Sequence, residues 1–124
     1  MIKFLIKGSY TSEGVKGLLK AGGSTRKQAV EKMITDLGGK MEAFYYAFGD
    51  TDVYVIGDVP DMATATALTL KVNSTGLVSI STTILFEPEE IDKAAKYLLT
   101  IVPPEINLIN TLITIKKKQK WKQQ

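Results

Sequence analysis

Few residues in this chain could do chemistry, and their types limit what that chemistry is. The 124 residues include no histidine and no cysteine. The commonest general base, the commonest metal ligand, thiolate nucleophiles and disulfides are therefore all excluded. Catalysis would have to run on carboxylates, lysines, tyrosines or hydroxyls. Asp50, Asp52, Asp58 and Asp61 crowd one short stretch, and oxygen donors so placed could ligate Mg²⁺ or Ca²⁺. Asp is also favoured in turns and helix caps for its local hydrogen bonds, which is the plainer account. Tyr45, Asp52 and Tyr54 form a second set; phenols beside a carboxylate could line a small-molecule pocket or assist proton transfer, with packing against another subunit as the alternative. Gly22-Gly23-Ser24-Thr25 precedes a helical pattern and could offer backbone N–H groups to an anion. It lacks the Lys and the spacing of a phosphate loop, so a helix break with a cap explains it as well.

The last set is basic. Lys116, Lys117, Lys118, Lys120 and Lys122 surround Trp121, a combination that could hold nucleic acid or an anionic membrane surface. Charge runs at a terminus are usually solvated. The formal net charge is +3, but residues 1–104 carry −1 and residues 105–124 carry +4. The folded part thus lacks the positive excess that nucleic-acid binding requires. Nothing in the chain implies a cofactor or a resident metal. The start, MIKFLIKGSY, has too short an apolar core for a signal peptide, and no segment has the length and apolarity of a membrane span, so the expected location is the cytoplasm.

The elements that would position these residues follow from periodicity. Ile2, Phe4 and Ile6 alternate with Lys3, Leu5 and Lys7, the pattern of a strand. Thr11 or Ser12 can cap a short helix to Lys20 with Val15, Leu18 and Leu19 inward. Ser24 restarts a helix to Leu37, with Ala29, Val30, Met33, Ile34 and Leu37 on one stripe and Gly38-Gly39 at its end. The stretch from Lys40 to Val59 reads as a β-hairpin and is the centre of the chain. A two-residue Asp50-Thr51 loop would pair Gly49 with Asp52, Ala47 with Tyr54 and Tyr45 with Ile56. The other face would then hold Phe44, Tyr46, Phe48, Val53 and Val55. Both faces are largely apolar, so each needs a cover.

Pro60-Asp61 stops the strand and caps a second helix with Met62, Ala65, Leu68, Thr69 and Val72 inward. Leu77 to Phe86 is a fourth strand. The order β-α-β-β-α-β predicts an α+β, ferredoxin-like plait: an antiparallel sheet with helices on one face, and a bare face suited to burial in a dimer. Glu87-Pro88-Glu89-Glu90 opens a further helix with Ile91, Ala94, Ala95 and Leu98 on one side, closed by Pro103-Pro104. Beyond it, periodicity does not separate helix from strand. Residues 1–104 read as one domain and 105–124 as an Ile/Asn-rich, then Lys-rich, extension.

The segment LGGKMEAFYYAFGDTDVYVIGDVPDMATATAL, followed by FEPEEIDKAAK, resembles the GYD-domain family of small bacterial and archaeal proteins. Leu37, Gly38, Gly39 and Lys40 match its lead-in, Phe44 and Tyr45 its aromatic strand, Gly49 and Asp52 its turn, and Pro60, Asp61, Pro88, Glu89 and Glu90 its later signatures. Thr51 stands where the family has a tyrosine. The resemblance spans residues 1–104. It implies a ferredoxin-like fold similar to dimeric α+β barrels and brings no established activity.

Function is expected accordingly: a small module that is at least a homodimer and binds a ligand or a partner without catalytic machinery. The alternatives are a cofactor-independent enzyme with a pocket lined by Tyr45, Asp52 and Tyr54, and a binder of nucleic acid or membrane through the lysine-rich tail.

Overall fold

The computed structural model describes the backbone of residues 1–102 and 104–122, and the side chains of these except 106–108 and 119–122. It forms two compact units, residues 1–86 and 87–124. The division lies at the end of the fourth strand, ahead of the 104/105 boundary that composition suggests.

In the first unit, β1 (Ile2–Tyr10), β2 (Lys40–Tyr46), β3 (Val53–Val59) and β4 (Val78–Leu85) build one antiparallel sheet in the order β2-β3-β1-β4. The class is α+β, as expected, and a β-α-β-β-α-β plait requires this strand order. Helices α1 (Ser12–Ala21) and α2 (Gly23–Asp36) fill the first crossover, and α3 (Met62–Ser74) the second. Phe4, Ile6, Val53, Val55 and Val59 point to one face, where Ile34 of α2 and Ala65 and Leu68 of α3 bury against them. The threonines of α3 do not prevent the helix, because Thr66 and Thr69 donate their hydroxyls to the carbonyls of Met62 and Ala65 one turn back (2.8 and 2.9 Å).

The first crossover is tied down at both ends of α1. Thr11 caps it, its Oγ1 accepting from the Gly14 N–H and donating to the Gly76 carbonyl (3.2 and 2.9 Å). At Gly14 a Cβ would lie 1.8 Å from the Leu77 carbonyl oxygen, so α1 can approach the start of β4 only with glycine there. Gly22, at φ 88°, closes α1 and precedes α2 without a side-chain cap. This is the helix break expected at the Gly22-Gly23 pair.

Several expectations need correction. Val15 and Leu19 do not point inward: they are 41% and 80% exposed, and only Leu18 is half-buried. Amphipathic spacing predicts an apolar face on α1, but it does not say what covers that face. Met62 is likewise exposed at the first turn of α3. The hairpin loop is not two residues; it runs from Ala47 to Asp52, and Tyr46 pairs with Val53, Tyr45 with Tyr54 and Phe44 with Val55, a slip of two residues from the expected register. A bulge between Met41 and Ala43 absorbs an extra residue. Phe48 therefore leaves the strand and stands fully exposed in the loop, and Phe86, past the end of β4, is exposed as well.

The second unit contains α4 (Pro88–Tyr97) and α5 (Pro104–Lys122), so the stretch with ambiguous periodicity is helical. Pro88 and Pro104 each begin a helix, where the missing N–H costs nothing. Ile91 and Leu98 of the expected α4 face are exposed. Among the described residues, no helix is long and apolar enough to cross a membrane.

Candidate functional site

Three places in the first unit gather residues with chemical potential. The first is the face of the sheet opposite α2 and α3. Cross-strand pairing puts Tyr45 beside Tyr54, and Tyr54 beside Lys7. The next rungs bring Ala43, Ile56, Leu5 and Thr83 into line, then Asp58, Lys3 and Leu85. Tyr45 is 68% exposed. Lys3 Nζ binds both carboxylate oxygens of Glu42 (2.8 and 2.9 Å), an ion pair at a half-open surface.

Asp52 does not join this face. Its Oδ2 accepts from the Tyr10 backbone N–H at 2.9 Å, its own N–H donates to the Gly8 carbonyl at 2.8 Å, and its carbonyl accepts from the Ala47 N–H at 2.8 Å. Of the expected trio, the fold unites Tyr45 with Tyr54 and sends Asp52 to join the loop to the end of β1. The other members of the acidic stretch are also dispersed. Asp61 caps α3: the Thr64 N–H and hydroxyl donate to its Oδ1 (2.8 and 2.7 Å), and these bonds hold its carboxyl below the usual range. Asp58 lies in register between Lys3 and Lys40. No cluster of three carboxylates capable of holding a metal exists among the described residues.

The second place is a groove of about 590 Å³ between α1, the Gly22-Gly23 break and the hairpin loop. Tyr10, Tyr46 and Asp52 line it together with Leu19 and Phe48. The Tyr46 hydroxyl donates to the Gly23 carbonyl at 3.0 Å. Burial, and then the neighbouring Tyr10 phenol, push the Tyr46 pKa up against the opposing pull of Arg26. A phenol so placed keeps its proton at neutral pH and is a donor, not a base.

The third place lies on the helix-covered face. Helix α2 packs on β2 and α3 on β4, and the two make few contacts with each other, leaving a trough over the central strands. It holds a cavity of about 190 Å³. Ile6, Val53, Val55 and Ile80 form its floor, and Val30, Met33, Leu68 and Val72 its walls. Among the described residues, the polar groups that reach it are Tyr10, Thr75, Arg26 and Lys71, and no carboxylate lines it. The Nε of Arg26 is shielded from solvent and has no hydrogen-bond partner among the described residues. Sequence reasoning missed this site because six separate elements build it. The isolated arginine in the first turn of α2 looks like an ordinary surface charge.

The basic cluster maps to α5, where Lys116, Lys117 and Lys118 are exposed. The side chains of Lys120, Trp121 and Lys122 lie outside the described residues.

A family model described as GYD domain matches residues 4–95. No curated protein matches the chain.

Proposed function

The chain belongs to the GYD-domain family, and from that premise we propose that it is a self-associating module that holds a small molecule between its sheet and helices α2 and α3, without catalytic machinery. The observation that carries this reading is the cavity of about 190 Å³. Native interiors are close-packed, and an apolar void of about 150 Å³ is already large enough to take up benzene. A gap of this size, with apolar floor and walls and a few polar groups, has the composition of a ligand pocket.

Self-association is the second part of the proposal. The open sheet face carries Tyr45, Tyr54, Leu5 and Ile56 at its centre, with Lys3, Lys7, Glu42 and Asp58 around them. Both signs of charge occur on one surface, so a second copy rotated by a two-fold axis can meet it without like-charge conflict. A ferredoxin-like plait paired in this way is a dimeric α+β barrel. The enzyme alternative is weaker: Asp52 does not share the face of Tyr45 and Tyr54, and its carboxylate is engaged by a backbone N–H.

Native mass spectrometry of the full chain tests both parts. A dimer that carries a reproducible extra mass supports the reading; a bare monomer at micromolar concentration refutes it.

A further inference from the structure

The chemistry of the cavity's few polar groups goes further than its volume. Among the described residues, Arg26 and Lys71 are its only charged lining groups; neither forms a salt bridge and no carboxylate lines the cavity to neutralise them. Arg26 sits in the first turn of α2, the positive end of the helix dipole, and that turn contains no acidic residue. A guanidinium there, with its Nε buried and unpaired, is short of an anion. Lys71 and Thr75, both exposed, mark where the cavity opens to solvent. A ligand with one charged end therefore has one orientation open to it, with its apolar body over Val53, Val55 and Ile80 and its charge towards the α2 and α3 ends. The volume is about that of a benzene site plus one substituent.

We propose that the cavity is a binding site for a small organic anion of benzoate size, whose apolar ring or branched chain fills the trough and whose carboxylate is taken by Arg26 at the start of α2 and Lys71 near the end of α3. The inference rests on the cavity being a ligand site and adds the class of ligand.

The test uses the full-length protein, with benzoate and its neutral counterpart benzyl alcohol as probes. Binding is followed by titration and by amide chemical-shift changes at Val30, Val53, Val55 and Ile80. Benzoate should bind about tenfold more tightly than benzyl alcohol, the scale of one charge-assisted hydrogen-bond pair. Arg26→Gln should remove that preference while leaving benzyl alcohol binding within about twofold, and Arg26→Lys, which keeps the charge without the fork, should lose less. Lys20→Gln, at the exposed end of α1 and outside the cavity lining, should change neither probe. If Arg26→Gln does not fold, the comparison of the two probes on the parent protein still decides. Equal affinities overturn the anion inference while leaving the cavity as a ligand site. Shifts at none of the cavity residues with either probe refute the cavity itself. Benzoate binding that Arg26→Gln leaves intact overturns the role of the arginine.

Discussion

Asp52 is the residue for which sequence and structure assign different work, and its removal gives a sharp test. Its carboxylate accepts the Tyr10 N–H at 2.9 Å, and its backbone continues the ladder to Gly8 and Ala47. Replacing Asp52 with alanine leaves the main-chain bonds in place and takes away the side-chain acceptor. A hydrogen bond to an ionised group contributes about 1.5–3 kcal/mol. Asp52 is half-buried, so partial solvation points to the lower end, about 1.5–2 kcal/mol. Asp52→Asn retains an oxygen acceptor without the charge and should recover about half of that loss. With a urea dependence of about 1.5 kcal/mol/M for a chain of this size, the alanine variant should unfold about 1 M earlier than the parent, and the asparagine variant about 0.5 M earlier. Urea unfolding followed by circular dichroism reads both midpoints. An alanine variant within about 0.5 kcal/mol of the parent would falsify the clamp. An asparagine variant no better than alanine would show that the oxygen acceptor is not what matters.

Three further outcomes follow from the same geometry. Phe4 is fully buried between Gly57 and Ile84, so Phe4→Ala should cost about 3–5 kcal/mol; a loss under about 1.5 kcal/mol in urea unfolding would mean the core is loosely packed there. Tyr46 has a folded pKa raised above its ordinary value of 10.0, so its contribution to stability is fully present below about pH 10 and is lost as pH rises through the folded value. The stability advantage of the parent over Tyr46→Phe should hold steady from neutral pH to about pH 9 and shrink by about pH 11; an advantage that grows with alkali contradicts the direction of the shift. Tyr54→Ala should shift analytical-ultracentrifugation profiles towards monomer while circular dichroism stays native, and unchanged self-association would remove the open face as the interface.

The fold was legible where one face of an element is buried and the spacing is regular. Phe4 and Ile6 in β1, Ile34 in α2, and Ala65 and Leu68 in α3 all lie where their periodicity puts them. The hairpin is instructive, because its register slipped by two residues and its faces survived: side chains alternate with period two, so Tyr45 still shares a face with Tyr54, and Phe44 with Val55. The slip itself was not legible, since Ala47 to Asp52 follow long-range bonds to Gly8 and Tyr10 and not a standard two-residue turn. The exposure of Val15 and Leu19 was not legible either: the apolar face on α1 is in the sequence, but its cover is not. Of the site, the shared face of Tyr45 and Tyr54 could be read from the strand pattern, whereas their direct pairing came with the slip, and the cavity with its Arg26 arises only when α2 and α3 settle over different strands.

One strand connects the two halves of the proposed function. Along β3, Val53 and Val55 are buried and floor the cavity, while Tyr54 and Ile56 alternate with them and face the other way. In a pleated strand, successive side chains share a backbone but not neighbours. Truncating Tyr54 therefore removes contact area from the open face without opening the cavity floor, and changing Arg26 alters the cavity without touching the open face. The proposed ligand binding and self-association are in that sense separable by substitution, even though the surfaces proposed for them lie on opposite sides of a sheet one residue thick. What would couple them is movement of the β3 backbone itself. Its two neighbours, β1 and β2, pair with it along most of its length, so such movement would break ladder hydrogen bonds on both sides. The architecture thus favours two independent surfaces on a rigid partition over a sheet that transmits occupancy from one face to the other.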